Sequence, residues 1–249
     1  MANLYSGRPP LGGRHPEDLP IVPHRVAAPL AAAAVCAGLA GCGSGPGVDP
    51  HTLLQQAKRT IDATPAVHFV LSSSGASGSG TIITGGAGDA HRPDQFRGTL
   101  NVMQSGFSVT VSILSTGGQF LVKLPFTASF EPTDPSKYGF GDPATLLDPD
   151  KGLSSLLVHP LSASDAGRDR FNGEELDEVD VTLPGAQVAA LLTSADKSKP
   201  VQGRIGIDSG NHQIRRVVLT GPFFEAGKDS TFTLVLDSYG ENVTITPPA

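Results

Sequence analysis

Tryptophan is absent from this chain, tyrosine occurs three times, and cysteine and methionine occur twice each. The cysteines exclude most. Cys36 lies inside an apolar run and Cys42 just beyond it, so a domain that starts after them has no disulfide, no Cys-zinc site and no Cys nucleophile. Long apolar runs are lacking too. The stretch Val26 to Ala40 falls well short of the roughly 18 to 20 apolar residues of a spanning helix, which makes it a targeting segment and not a stable anchor. Basic charge is scarce. The chain carries −6, and loss of Arg8, Arg14 and Arg25 against Glu17 and Asp18 makes the remainder one unit more negative, which argues against a nucleic-acid partner.

Recognisable catalytic chemistry is missing as well. There is no Gly-x-Ser-x-Gly elbow, no phosphate-cradling glycine loop and no His-Glu-x-x-His motif, so no nucleophile–base pair supports a hydrolase. His51, His68, His91, His159 and His212 are scattered singly, without the spacing of a metal site. No enzyme activity, metal or cofactor is expected. Gly75 to Gly80 lacks a following helix and lysine, so it reads as a turn or mobile loop. Asp148 and Asp150 flank a proline where capping of a short helix accounts for them. Glu174, Glu175, Asp177, Glu178 and Asp180 read as a solvated acidic strand edge that discourages edge pairing.

What is present begins with Leu39-Ala40-Gly41-Cys42. A lipoprotein signal needs a basic entry, a short apolar run, small residues at the cut and a cysteine that receives the lipid. Arg25, Val26 to Ala40, Ala40 with Gly41, and Cys42 supply these in order. The expected division is a signal peptide over 1–41, a lipidated Cys42 with a glycine-rich tether over 42–48, and one domain over 49–249. A generic secretory signal with Cys42 beyond the cut is the alternative. The proline-rich opening is longer than such a signal requires, as a start codon further in, at Val22 or Val26, would produce.

Along the domain, Asp49-Pro50 predicts a helix carrying Leu53, Leu54, Ala57 and Ile61 on one face and ending before Pro65. From Val67 the period turns to two. Val67, Phe69 and Leu71 alternate with polar or opposite-facing positions, and Thr81 to Thr84 and Thr99 to Met103 give further extended pieces between glycine clusters. Phe107, Val109, Val111 and Ile113, then Phe120, Val122 and Leu124 after Gly117-Gly118, read as hairpin-linked antiparallel strands. Asp148-Pro149 predicts a short helix with Leu153, Leu156, Leu157 and Val158, and helical insertions follow. A turn at Asn172-Gly173 precedes a strand with Val179, Val181 and Leu183, and Pro184 opens a helix with Val188, Leu191 and Leu192. Strands return over 201–208, 213–220, 231–237 and 243–246, with Phe232, Leu234 and Leu236 on one face. The fold class is α+β, an antiparallel meander with helices against one side. One-sided aliphatic strands and helices with few large rings either pack solid or enclose space. Periodicity does not separate cavity lining from core for Val109, Val111, Ile113, Phe120 and Val122, for Leu153, Leu156 and Leu157, for Val188, Leu191 and Leu192, or for Phe232 and Leu234.

The order of Phe140 to Ala144, Leu146 to Leu153, Asn172-Gly173, Gly210 to Ile214 and Ser238 to Val243 resembles the mycobacterial LppX/LprA/LprF/LprG lipoprotein family, most of all its LprG members. The resemblance runs from the lipobox to Pro247 and is weakest over Ser72 to Gly88 and Pro222 to Asp229. It implies a strongly curved antiparallel sheet, a half-barrel, with helices on its concave side around a large apolar cavity. It also implies multi-acyl lipid ligands: triacylglycerol, phosphatidylinositol mannosides, lipoarabinomannan precursors or phthiocerol dimycocerosate. The expected protein is a monomer, lipid-anchored at Cys42 on the extracytoplasmic face of the cell membrane. It carries lipid toward the outer envelope with a major-facilitator exporter as partner. The other reading is an interaction or regulatory lipoprotein of an envelope complex, with a closed core.

Overall fold

Asp49 and Pro50 start the first helix as their chemistry requires. In the computed structural model, which describes residues 48–77 and 80–246, α1 covers Pro50–Asp62, and the Asp49 side chain accepts from the Thr52 N–H at 2.8 Å. Leu53, Leu54, Ala57 and Ile61 are its buried face. The lipobox, the signal segment and most of the tether lie outside the described residues, as do Gly78 and Ser79 of the glycine-rich loop.

The strands follow in chain order: β1 (Ala66–Ser74), β2 (Ile82–His91), β3 (Gln95–Gln104), β4 (Phe107–Thr116), β5 (Gln119–Lys123), β6 (Glu131–Pro132), β7 (Ser162–Phe171), β8 (Glu174–Leu183), β9 (Val201–Asp208), β10 (Ile214–Glu225) and β11 (Lys228–Asp237). They form a single 11-stranded sheet in the order β6-β5-β4-β3-β2-β1-β11-β10-β9-β8-β7. Each chain-consecutive pair except β6 and β7 is antiparallel, and β1 pairs with β11, so the two halves of the meander meet in the middle. The sheet is curved and unclosed, with β6 and β7 as its edges. Its concave face is covered by α1, by α2 (Gly185–Leu191), and by short 3-10 turns at Pro135–Tyr138, Pro143–Thr145 and Leu153–Leu157. This is the α+β half-barrel expected from the sequence.

Several local expectations are corrected. No helix starts at Asp148-Pro149. The Asp148 carboxylate instead accepts from the N–H groups of Asp150 and Lys151 at 2.8 and 2.9 Å, and the Gly152 N–H donates to the Asp148 carbonyl, closing a turn. Those two donors hold the Asp148 carboxyl below the usual carboxylate range. The helical stretch starts only at Leu153, and Val158 beyond it is exposed. The segment after it is not a helical insertion but strand β7, whose mostly exposed residues leave no alternating apolar signal. β2 runs straight through Gly85 to Gly88. Phe107 and Leu124, at the ends of their apolar rows, are exposed. Residues 243–246 form no strand; Val243 and Ile245 pack on Leu114 and Leu121 at the convex back of β4 and β5.

The acidic strand is also not an edge. β8 lies between β7 and β9, and its carboxylates meet arginines from both sides: Asp177 with Arg168 across the β7–β8 hairpin, and Asp180 with Arg204 and Glu174 with Arg215 from later in the chain. The true edge, β7, carries Asp165, Arg168, Asp169 and Arg170, so charge protects it from pairing. Glu178 is the most buried of these acids, at 3% exposure. Register places Glu178 opposite Gly206 and Gly206 opposite Arg216. With no side chain on the middle strand, the guanidinium reaches Glu178 at 2.6 Å, and it lies over the Phe171 ring. Tyr239 ties the end of β11 back to β10: its hydroxyl donates to the Ile214 carbonyl at 2.7 Å. Burial pushes that hydroxyl well above the ordinary tyrosine value. Removing Glu178 leaves the half-buried Arg216 with only the exposed Asp169 carboxylate, at 2.9 Å, as its partner. Glu178→Ala is expected to cost about 3 kcal/mol in chemical denaturation, whereas Glu175→Ala, at an exposed pair, should cost less than about 1 kcal/mol.

Candidate functional site

Because strand partners share a face, the register identifies the inward rows. Phe69, Leu71 and Ile83 of β1 and β2 face the same side as Phe96 and Leu100 of β3, Ile113 of β4, Val217 and Leu219 of β10, and Phe232 and Leu234 of β11. Over this floor lies a lid made of residues 140–146 with Leu153, Leu156, Leu191 and Leu192. The two do not meet everywhere. Between them is an apolar cleft with an enclosed volume of about 130 Å³ that opens to solvent at its mouth.

The lid is held locally. Its Asp142 carboxylate accepts from the Ala144 N–H at 2.9 Å, and the Thr145 hydroxyl donates to the Asp142 carbonyl at 2.7 Å. The polar groups at the cleft are thus engaged within the lid itself. The Gly141 N–H donates to the Leu191 carbonyl at 2.9 Å and the Leu153 N–H to the Leu146 carbonyl at 2.9 Å, which join the lid to α2 and to the following turn. The Gln187 amide also donates to the Ser155 carbonyl. Phe140 sets its edge against Phe120, with centroids 5.8 Å apart. Among the described residues there is no cluster of three metal-ligating side chains.

Of the residues singled out from sequence, Ile113, Leu153, Leu156, Leu191, Leu192, Phe232 and Leu234 come together at the cleft wall. Val111, Phe120, Val122, Leu157 and Val188 are buried in the surrounding core instead, and Val109 packs half-buried against it. Cys42 lies outside the described residues. Sequence reasoning left Phe69, Leu71, Ile83, Phe96, Leu100, Phe140, Leu146, Val217 and Leu219 out of the candidate wall. Val217 and Leu219 carried a signal, alternation along β10. Phe140 and Leu146 carried none, since they sit in irregular chain.

The fold and the cleft together define a hollow half-barrel protein. The sequence model of the LppX_LprAFG lipoprotein family matches residues 49–245, and the chain belongs to that family. The lipoarabinomannan carrier protein LprG of Mycobacterium tuberculosis is 25% identical over 231 residues, covering 88% of this chain and 93% of that one. Lipoprotein LprA of the same species is 32% identical over 110 residues, 42% of this chain and 43% of that one. Among solved structures, LprF of Mycobacterium bovis superposes with a TM-score of 0.64 at 18% identity, covering 80% of this chain and 97% of that one. LppX of Mycobacterium tuberculosis gives 0.57 at 17%, covering 79% and 97%. The two superpositions establish the shared fold.

Gly152 is the tightest point of the lid, because a Cβ there would overlap the carbonyl oxygens of Thr145, Leu146 and Asp148. Gly152→Ala is expected to cost about 2 kcal/mol and to speed amide exchange over 143–153, leaving exchange in β8 to β10 unchanged.

Proposed function

We propose that this chain is a membrane-anchored lipoprotein that holds multi-acyl lipids in the cleft and carries them from the plasma membrane toward the outer envelope. The observation behind this reading is the cleft itself, whose wall is almost wholly aliphatic and aromatic side chains. Each methylene withdrawn from a bilayer costs about 0.8 kcal/mol, so one chain of roughly fifteen costs on the order of 12 kcal/mol. A carrier must replace that environment, and this needs no acid, base or metal. A triacylated ligand such as triacylglycerol or phosphatidylinositol mannoside would set its acyl chains against the cleft wall. The relative named as a lipoarabinomannan carrier supports a glycolipid of that chemistry. Residues 1–41 would be removed, Cys42 would carry the lipid anchor on the extracytoplasmic face, 42–48 would be the tether and 49–249 the lipid-binding domain, with an exporter of the major-facilitator type as partner. A closed-core interaction lipoprotein has no use for such a cleft.

Native mass spectrometry of the intact protein, purified from an actinobacterial host with its own lipids, is the direct test. Adducts spaced by methylene masses are expected; a bare mass with no uptake of added triacylglycerol would sink the reading. Leu71→Trp, which projects into the cleft from β1, should lower loading about tenfold, or roughly 1.4 kcal/mol, in a protein that still folds. Cys42→Ala should abolish the covalent lipid mass and release the protein from the membrane fraction, and retention would refute the anchor.

A further inference from the structure

One aromatic ring stands between the cleft and the closed part of the core. Followed along the inward face of the sheet, the cleft wall ends at Phe96. Ala90, its partner across β2 and β3, and Val67, opposite Ala90 on β1, are 1% exposed and belong to the same apolar cluster as the buried face of α1, with no part in the wall. The Phe96 ring does not stay at the level of its own backbone. It leans toward the cleft over Gly88 and Gly98, which face each other on β2 and β3. A Cβ on Gly88 would come 2.7 Å from Phe96 Cζ, and one on Gly98 would come 2.9 Å from it.

Both glycines face inward. Register puts Gly88 opposite Phe69 and Gly98 opposite Ile113, and both of those line the cleft. Phe96 therefore lies over two positions that carry no side chain, where a Cβ would also overlap the Arg97 and Ala87 carbonyl oxygens, and it stacks on Phe69 with centroids 5.5 Å apart and planes 23° from parallel. Under the ring there is bare backbone. A floor built from residues at 88 and 98 would be fixed, whereas this floor is a single ring whose removal lengthens the cleft without cutting into the sheet.

We infer that Phe96, backed by Phe69, is the stop that sets how long an acyl chain the cleft accepts. The inference rests on the lipid-binding reading above and adds to it a residue that determines chain length. A chain end that reaches the ring has no further apolar wall to follow, so each methylene beyond that point stays outside or bends back. Phe96→Ala should open a hollow over Gly88 and Gly98 that admits about three more carbons, close to the packing volume of the ring removed.

The test loads the intact, delipidated protein with an equimolar ladder of saturated diacylglycerols, from dilauroyl to diarachidoyl, offered in phosphatidylcholine vesicles and read by native mass spectrometry. Phe96→Ala should move the loading maximum toward longer chains, with the preference for the longest species rising by about fourfold for each further methylene admitted. Phe96→Leu, a smaller truncation that keeps the core filled should the alanine variant fold poorly, should move it the same way by less. Phe96→Trp should move it toward shorter chains. Val122→Ala, a nearby inward residue that does not line the cleft, should leave the maximum in place. A ladder profile that is the same in wild type, Phe96→Ala and Phe96→Leu while lipid is taken up would overturn the stop and leave the carrier reading intact. No uptake of any species by wild type would overturn the carrier reading, and the stop with it.

Discussion

An antiparallel sheet of eleven strands presents a concave apolar face, and that face must be kept from water by something. Among the described residues the cover is small for the sheet: two short α-helices and three 3-10 turns. Where α1 lies, the core is packed shut around Leu54, Ala57 and Ile61. Where the lid of 140–146 lies, it is not. The enclosed part of the cleft there, about 130 Å³, would cost about 3 kcal/mol if left empty at roughly 24 cal/mol per Å³, a sizeable share of the roughly 5–15 kcal/mol by which a domain is stable at all. An apolar occupant offsets that cost.

The outer face answers a different demand. Across β8, β9 and β10 the chain uses charge instead of bulk, and Gly206 is the detail that makes this possible. Its missing side chain allows Glu178 and Arg216 to meet over the middle strand. The same device appears inside, where Gly88 and Gly98 make room for the Phe96 ring. In both places an absent side chain on one strand lets a side chain from another cross it, which brings together groups that straight cross-strand pairing would hold apart.

These crossings explain what could be read from the sequence and what could not. The Asp49 cap, the one-sided rows of β4, β5 and β11, and the Asn172-Gly173 turn are local, so composition and period reveal them. β7 is polar on both sides, and its identity as a strand depends on β8 lying beside it. The acids of β8 look like an edge because their arginine partners Arg204, Arg215 and Arg216 come later in the chain. The cleft divides residues that share one pattern. Ile113 and Val111 alternate in the same strand and face the same way, yet only Ile113 lies beneath the lid. Period fixes a face, not what covers it.

The segments that carried the family resemblance turn out to hold the irregular parts. Residues 140–153 are the lid and its closing turn, and residues 210–214 and 238–243 are joined by the Tyr239 hydroxyl on the Ile214 carbonyl. A strand tolerates many apolar substitutions as long as its face is kept. A lid without regular hydrogen bonding depends instead on particular residues, such as Asp142 and Asp148 for their caps and Gly152 for its close approach to three carbonyls. A different tolerance to substitution in sheet and lid follows from that difference. So does the division of labour in the molecule: the sheet supplies a broad apolar wall that many sequences can build, and the lid supplies the small set of exact contacts that keep one side of that wall open.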